Sequence, residues 1–369
     1  MTDATASAGA NGAAASPMRP ETLAIAVHYG EPMSGRPGLS LRGGTYAQLP
    51  LTGAVFTEVD LTDVDFRQAD LREAVFDRCD LSRANFLGAD LRGATWHQCR
   101  GADVLLGGAN LHKASLIGCE LPQLRATGAV LRLATLHATT LAGADLRDAE
   151  LDGTTWIDCT LSGLDLRDAR LTHGTFSGCD LAGVAWDGAR LERVVFHRSA
   201  LLQRNFRGLD ILGCQFAGCD LTGSDFSDAV LGRSSFQGAT LEGVRFTGAQ
   251  AANCLFPGAL AAGCDFSGAV LTQAVFAGAQ LAGARFAGAQ LREAFFGDAL
   301  LSGADLRGCE LTYADFSRAD LRGADLRGAA MFRTRLHRAQ REGSQGVDRS
   351  AALGDDAPLA EAEQWRPAA

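Results

Sequence analysis

The chain repeats with a period of five residues. From Leu41 to Leu336, every fifth residue falls in one register without insertion or deletion, and 56 of these 60 positions hold a large apolar residue. A period of five fits neither an α-helix, with about 3.6 residues per turn, nor a strand, with alternation every two. Self-similarity at a fixed period predicts a repeat architecture, so the length indicates one elongated domain rather than two globular ones.

Each five-residue unit has the same order of residue types. A small residue, usually Ala, stands two positions before the large apolar centre, and Asp or another polar residue stands directly before it. Gly stands two positions after the centre in 30 of the 60 units, which indicates a corner with an unusual backbone conformation. The runs Ala-Asp-Leu-Arg-Asp at 144–148 and Ala-Asp-Leu-Arg-Gly at 324–328 show the complete unit.

This unit closely resembles that of the pentapeptide-repeat family, Ala-Asp/Asn-Leu-X-X, over about four fifths of the chain. The resemblance implies an all-β fold, a right-handed quadrilateral parallel β-helix with four repeats in each coil. It also implies that the centre and the small residue two before it point inward. Sixty repeats then make about 15 coils, and a strand spacing of about 4.8 Å gives a rod about 70 Å long.

Residues 20 positions apart support a coil of four repeats. One series of centres is mainly aromatic, and so is the series on the opposite face, whereas the other two series are almost wholly Leu. Seventeen of the nineteen Phe residues are centres. Because protein interiors are close-packed, each large centre needs a small inward neighbour, which the Ala positions supply.

The repeat defines three segments. Residues 41–338 are predicted to form the β-helix. Residues 1–40 are predicted to be disordered, apart from a capping strand at 22–29 where Leu23, Ile25 and Val27 alternate with Ala. Residues 339–369 are polar and are predicted to be a disordered tail. The chain opens with no secretory signal and has no apolar run of about 18 residues, so we expect a bacterial cytoplasmic protein without membrane association.

The ten cysteines have a packing explanation. All of them occupy the small inward position two before a centre, and free Cys behaves as a small buried hydrophobe. We therefore predict free thiols and no metal. One inward position holds Arg204, whose guanidinium must escape the interior because a buried unpaired charge is very costly.

No enzyme chemistry is evident in the sequence. No His has another His 20 residues away, Asp145 and Asp165 are predicted to stack with Arg147 and Arg167 between them, and a filled tube has no cleft. We expect no catalytic, cofactor or metal site.

The favoured function is a non-enzymatic, rod-shaped scaffold or adaptor that binds proteins, as repeat solenoids commonly do. One concrete version places it in effector loading or delivery by a bacterial type VI secretion system. An end coil offers a surface for oligomerisation.

The alternative is DNA mimicry, because the family that the chain resembles includes quinolone-resistance proteins that bind DNA gyrase or topoisomerase IV. The candidate acidic surface consists of Asp60, Asp65, Asp70, Asp145, Asp148, Asp165 and Asp168. Residues 41–336 carry a net charge of −6, whereas a duplex about 70 Å long carries roughly 40 phosphates. The mixed Asp and Arg surface therefore favours the scaffold, and the negative charge argues against direct binding of nucleic acid.

Overall fold

The computed structural model describes residues 17–34 and 40–365 of the 369-residue chain. The chain winds in coils of 20 residues, and residues directly before a centre pair in parallel with the equivalent residue of the next coil, except at two positions near Arg204. One such ladder runs from Pro50 to Ala330 without a gap and has fifteen rungs. The predicted all-β quadrilateral parallel β-helix is confirmed.

The regular strands are short because a corner interrupts the chain every five residues. Nine strands form one parallel sheet: β1 (Met33–Ser34), β2 (Val55–Thr57), β3 (Val75–Asp77), β4 (Thr95–His97), β5 (Ser115–Ile117), β6 (Thr135–His137), β7 (Thr155–Ile157), β9 (Thr175–Ser177) and β11 (Val195–His197). Three form a second parallel sheet: β8 (Arg170–Thr172), β10 (Arg190–Glu192) and β12 (Asp210–Leu212). Single bridges continue both sheets towards the C-terminal end.

We name the four walls of the tube after one early centre each: the Phe56, Leu61, Phe66 and Leu71 walls. The Phe56 and Phe66 walls face each other, and their rings fill the interior. Rings stack within a wall, as for Phe256 and Phe276, with centroids 4.7 Å apart and planes 4° apart. Rings of opposite walls meet edge to face, as for Phe256 and Phe266 at 5.6 Å and 87°. Both arrangements suit the quadrupole of the aromatic ring.

Every corner uses the same backbone conformation. The residue two after the centre has a positive φ at all sixty repeats, of which thirty hold Gly and thirty hold another residue. The sequence indicates this conformation through its glycines. Because left-handed backbone is unfavourable for residues with a Cβ, the non-Gly corners are held there by the pairing of the coils on either side.

The N-terminal cap differs from the prediction. Residues 22–29 do not form a strand, because Pro20–His28 is a helix, α1, with Pro in its first turn. The alternation was misleading, since Leu23 and Ala26 are buried at helical spacing whereas Ile25 is exposed. Strand β1 pairs with β2 and covers the first coil instead. The disorder predicted for residues 1–16 lies outside the described residues.

The C-terminal segment is more ordered than the predicted tail. Pairing continues past residue 338, to Gln345 on Asp325 and to Leu353 on Arg335. A second helix, α2 (Ala357–Gln364), follows, and the Asp356 side chain caps it by accepting the N–H of Leu359. The prediction of a disordered tail was therefore wrong for 339–365. Ion pairs between residues far apart in the chain fix this polar segment, and they leave no periodic signal.

Arg204 distorts the tube locally, as expected. Its side chain is only partly buried, and Nε donates to the carbonyl oxygen of Leu202 at 2.6 Å. Within the described coils around it, the bridges that would join Ala185 to Asn205 and Ala200 to Asp220 are absent. The guanidinium thus reaches the surface, and the parallel pairing of the coils is interrupted at the two positions nearest to it.

Neither described helix has the length and apolar content needed to cross a membrane.

Candidate functional site

The most developed polar feature of the surface is a set of Asp–Arg pairs that flank the buried centres of the repeat. Asp stands directly before a centre and Arg directly after it, so both point outward on the same side of the wall. In each pair Nε and Nη2 of the Arg side chain donate hydrogen bonds to the Asp carboxylate. Eight pairs have this form: Asp65–Arg67, Asp70–Arg72, Asp90–Arg92, Asp145–Arg147, Asp165–Arg167, Asp305–Arg307, Asp320–Arg322 and Asp325–Arg327.

Four of these pairs stack in twos on the Phe66 wall, Asp145–Arg147 on Asp165–Arg167 and Asp305–Arg307 on Asp325–Arg327. Asp145 and Asp165 are paired rungs of one ladder. Arg147 binds Asp145 at 2.7 Å and lies 3.7 Å from Asp165, while Arg167 binds Asp165 at 2.6 Å. The predicted lattice is present, but each Arg binds mainly the Asp of its own repeat rather than bridging two coils equally.

The pairs change the acidity of the carboxyl groups. Hydrogen bonds from Arg147 lower the pKa of Asp145 to about 2, and those from Arg72 lower the pKa of Asp70 to about 2. Arg67 and Arg167 lower the pKa of Asp65 and Asp165 in the same way. These carboxylates are ionised at neutral pH, but each has its charge compensated by a bound guanidinium.

Asp148 and Asp168 occupy corner positions of the same wall and are exposed. Their φ angles are 58° and 60°, so both use the left-handed corner conformation. Among the described residues, neither has a basic group within ion-pair distance. They are therefore the uncompensated part of the predicted acidic surface, and they lie beside the compensated Asp145 and Asp165.

The other predicted acidic residues do not share one wall. Asp60 pairs with Asp80 on the Leu61 wall, Asp65 with Asn85 on the Phe66 wall, and Asp70 with Asp90 on the Leu71 wall. Only Asp65 lies on the ladder that also contains Asp145 and Asp165. The structure thus separates the acidic segment near the N-terminus onto three walls rather than into one patch.

The ten cysteines share one buried position in the repeat and make the same hydrogen bond. All ten are free and buried. Each thiol donates to the carbonyl oxygen of the residue 23 positions earlier, as Cys264 Sγ does to Leu241 at 2.8 Å. Thr139 and Ser199 fill the same slot and make the equivalent bond. This position therefore requires a small residue, usually Ala, and where it holds Cys, Thr or Ser the side chain donates to the previous coil.

In the described parts of the chain, no group of three or more His, Cys, Asp or Glu is arranged to hold a metal ion.

Sequence reasoning missed one polar cluster, at the C-terminal end. Glu363 of α2 contacts Arg318 at 3.0 Å, Arg338 at 2.7 Å and the buried His337 at 3.5 Å. His337 Nδ1 also accepts the backbone N–H of Asp356 at 3.0 Å. These contacts hold α2 against the last coils. In the sequence, the only indication of this cluster is Glu363, an acidic residue in the segment that follows a basic coil.

Family models match the repeat region. The model described as pentapeptide repeats (8 copies) matches residues 51–72, 60–95, 109–148, 139–178 and 299–338. The model described as a pentapeptide repeat region matches residues 209–286. The matched residues make up more than half of the chain. No curated protein sequence matches the chain significantly.

Solved structures of other pentapeptide-repeat proteins also match the chain. HetL, a pentapeptide-repeat protein involved in heterocyst differentiation regulation from Nostoc sp. strain PCC 7120, is 26% identical, with 75% of this chain and 90% of that chain covered and a TM-score of 0.18. Full-length QnrB1, a plasmid-mediated fluoroquinolone resistance protein, is 18% identical, with 60% and 98% covered and a TM-score of 0.18. Because these TM-scores are low, the assignment of the chain to a family rests on the coil geometry and the family models. By both criteria, the chain belongs to the pentapeptide-repeat family.

Proposed function

We propose that this protein is a non-enzymatic scaffold that binds other proteins along the outside of its rod. The carrying observation is the stacked Asp–Arg lattice of the Phe66 wall. Arg147 and Arg167 each hold an Asp with two or more hydrogen bonds and leave other guanidinium N–H groups directed outward. Such pairs offer donors and acceptors at fixed spacing, which suits recognition of a polar protein surface.

The rigidity of the rod supports the same proposal. The interior is filled by buried aromatic and aliphatic centres, so each wall is held by its own core. A surface that is already ordered loses little conformational entropy when a partner binds. The function therefore rests on the arrangement of outward side chains rather than on a reacting group.

Site-specific photo-cross-linking in the native cell tests this proposal. A photoreactive amino acid replaces Thr127 on the Phe66 wall, beside the lattice, or Thr272 on the Leu71 wall, as the matched position after a centre. We expect a protein adduct from the Thr127 site, identified by mass spectrometry. Secretion components in that adduct would support the version that involves a type VI system. If neither the Thr127 site nor the Thr272 site yields a protein adduct, the scaffold proposal is wrong.

A second candidate, mimicry of DNA towards gyrase or topoisomerase IV, is favoured by one observation. Asp148 and Asp168 are uncompensated and lie one coil apart, about 4.8 Å, on one wall. Regularly spaced negative charges are what a phosphate backbone presents. The compensated Asp145 and Asp165 beside them weaken the resemblance, so the scaffold is preferred.

A further inference from the structure

Three side chains converge on one carboxylate at the C-terminal end of the Phe56 wall. Arg318 Nη1 donates to Glu363 Oε1 at 3.0 Å, and Arg338 Nη1 lies 2.7 Å from Glu363 Oε2. His337 Nε2 lies 3.5 Å from the same Oε2 atom. The three side chains come from two successive coils and meet at one point, which is the arrangement of an anion-binding site.

Arg318 and His337 are oriented by groups other than Glu363. Asp298, one coil before Arg318, accepts hydrogen bonds from its Nε at 2.8 Å and its Nη2 at 2.9 Å, which leaves Nη1 for a second anion. His337 is 2% exposed, and its Nδ1 accepts the backbone N–H of Asp356. In the neutral ring the hydrogen is therefore on Nε2, the atom that faces the carboxylate.

Glu363 does not satisfy this site completely. His337 Nε2 is buried and makes no hydrogen bond to any described residue, because 3.5 Å is too long for one to Glu363 Oε2. Buried N–H groups almost always have a partner, and an unpaired one costs free energy. A carboxylate that came about 0.5 Å closer to Nε2 would gain a hydrogen bond that Glu363 lacks.

Helix α2, which carries Glu363, is held to the rod mainly by polar contacts. None of its residues is buried, and its Leu359 is 44% exposed. Arg338 Nη2 also donates to the carbonyl oxygen of Ala360 at 2.9 Å. A helix of eight residues is marginal in water, and most helices in proteins are stabilised by packing of an apolar face. Because α2 lacks such a face, it can detach by local unfolding.

We propose that Arg318, His337 and Arg338 bind a carboxylate of an acidic segment in a partner protein, and that α2 is a displaceable strap over this site. The last residue that pairs with a coil directly precedes Gly354, which has open space around it, so the strap can swing from there. The bond to a backbone carbonyl favours a peptide over an isolated acid.

The strap also sets how strongly a partner must bind. Because only a few residues tether it, the strap competes at an effective concentration in the millimolar range, and only a partner with better contacts displaces it. This surface lies on a different wall from the Asp–Arg lattice of Asp145 and Asp165, so the inference goes beyond the proposed function and is tested separately.

Hydrogen exchange of the full chain tests whether α2 is displaceable. The amides of 357–364 should exchange at least about 100-fold faster than those of Leu336 and Leu353, which pair the last coils. Glu363→Gln should speed the exchange of α2 about tenfold further. Glu361→Gln is the matched control, because Glu361 lies on the same helix without an ion pair to any described residue, and it should behave like the wild type. Amides of α2 that are protected as strongly as the coil amides overturn the proposal.

Binding of a separate peptide tests the site. The probe is a fluorescent peptide of residues 354–365, stapled between the exposed positions 358 and 362 so that it loses little entropy on binding. The full chain with Glu363→Gln should bind this probe at least about tenfold tighter than the wild type, whose own strap competes. Adding Arg338→Gln to that chain should weaken binding at least about tenfold, and Arg318→Gln replaces it if a thermal melt shows misfolding. No binding by the Glu363→Gln chain at about 1 mM probe, or equal binding by the wild type, overturns the proposal.

Two further peptides test what the site recognises. A probe with Glu363→Gln should bind at least about tenfold more weakly, because it lacks the carboxylate. A probe with Leu359→Ala and Glu361→Ala should bind like the first, because the site contacts the Glu363 carboxylate and the Ala360 carbonyl. If the first change has no effect, the site does not recognise a carboxylate. If the second abolishes binding, the site is specific for the strap sequence, and the proposal of an acidic partner is wrong.

Discussion

Arg147 holds Asp145 with two parallel hydrogen bonds, from Nε to Oδ1 at 2.9 Å and from Nη2 to Oδ2 at 2.7 Å. The two residues flank Leu146, a buried centre, so the core fixes the positions from which both side chains start. The same geometry recurs at Asp165 and Arg167, one coil further on. The surface lattice is thus a consequence of the five-residue repeat, which places the Asp and Arg of eight repeats on either side of a buried centre.

The Asp145 pair should make stability depend on pH in the acid range. The pKa of this carboxyl is lowered to about 2 in the folded protein, against about 3.9 in an unfolded chain. The contribution of the ionised Asp145 carboxylate to the free energy of unfolding is therefore complete above about pH 4 and is lost as the pH falls towards 2. Asp145→Asn should cost less than about 1 kcal/mol at pH 6, because the pair lies at the surface and is partly exposed to solvent, and almost nothing at pH 2.

Urea unfolding at the two pH values measures this difference. Asp148→Asn is the control, since Asp148 lies on the same wall without an ion pair, and it should change the free energy of unfolding little at either pH. An Asp145→Asn effect that is equally large at pH 2 and pH 6 would show that the carboxylate charge is not what matters.

The aromatic ladders should dominate stability. Phe216 is fully buried and stacks on Phe196 at 5.0 Å and on Phe236 at 5.1 Å. Replacement by Ala should lower the free energy of unfolding by about 3–5 kcal/mol, the usual range for a buried Phe. Asp225→Ala, which removes an outward partner of Arg245, should cost about 1 kcal/mol or less. Equal shifts of the two denaturation curves would contradict the inward and outward assignment.

The left-handed corners should favour Gly even where another residue now stands. Leu133 has φ 58° and is 52% exposed, so its side chain gains little from burial. Left-handed backbone costs a residue with a Cβ about 1–2 kcal/mol, and the extra freedom of Gly in the unfolded chain offsets about half of that. Leu133→Gly should therefore stabilise the protein by up to about 1 kcal/mol in thermal or urea unfolding.

Leu87 provides the control for that experiment. It is also an exposed Leu, at 40%, but it follows a centre directly and lies outside the left-handed corners. Leu87→Gly should destabilise the protein. If both substitutions shift the melting temperature in the same direction, backbone conformation at the corner is not the cause.

The cysteines should be unreactive in the folded protein. All ten thiols are buried, which keeps reagents away from them. Burial also raises the pKa of Cys214, Cys254, Cys264 and Cys309 to about 12, so their nucleophilic thiolate is scarce at neutral pH. A hydrogen bond from a neighbouring thiol lowers the pKa of Cys79, Cys119 and Cys159, so these three are protected by burial alone. A colorimetric thiol reagent at pH 8 should label almost none before denaturation and all ten afterwards. Rapid labelling of several thiols in the native protein would show that the inward slot is open to solvent.

The five-residue frame predicted the coil, the inward residues and the sixty corners because these features follow from local spacing. It did not predict α1, since a short helix that buries only Leu23 and Ala26 has too little periodicity to outweigh an apparent alternation. It also missed α2, which is held by Glu363 through contacts with Arg318, Arg338 and His337. The repeat frame groups residues by their position in the unit. The wall on which a residue lies appears only when the coils are stacked, as for Asp60, Asp65 and Asp70.

A gyrase supercoiling assay tests the central claim that the acidic residues form a compensated protein-binding surface rather than an imitation of DNA. The protein, titrated to about 50 µM, should neither inhibit supercoiling nor relieve inhibition by a quinolone, because the net charge is far below that of a duplex of equal length. The contrary result is inhibition or relief that disappears when Asp148 and Asp168 are reversed to Lys, while Asp145→Asn leaves it intact. That outcome would identify the uncompensated carboxylates as a phosphate-like surface and replace the scaffold by the mimic.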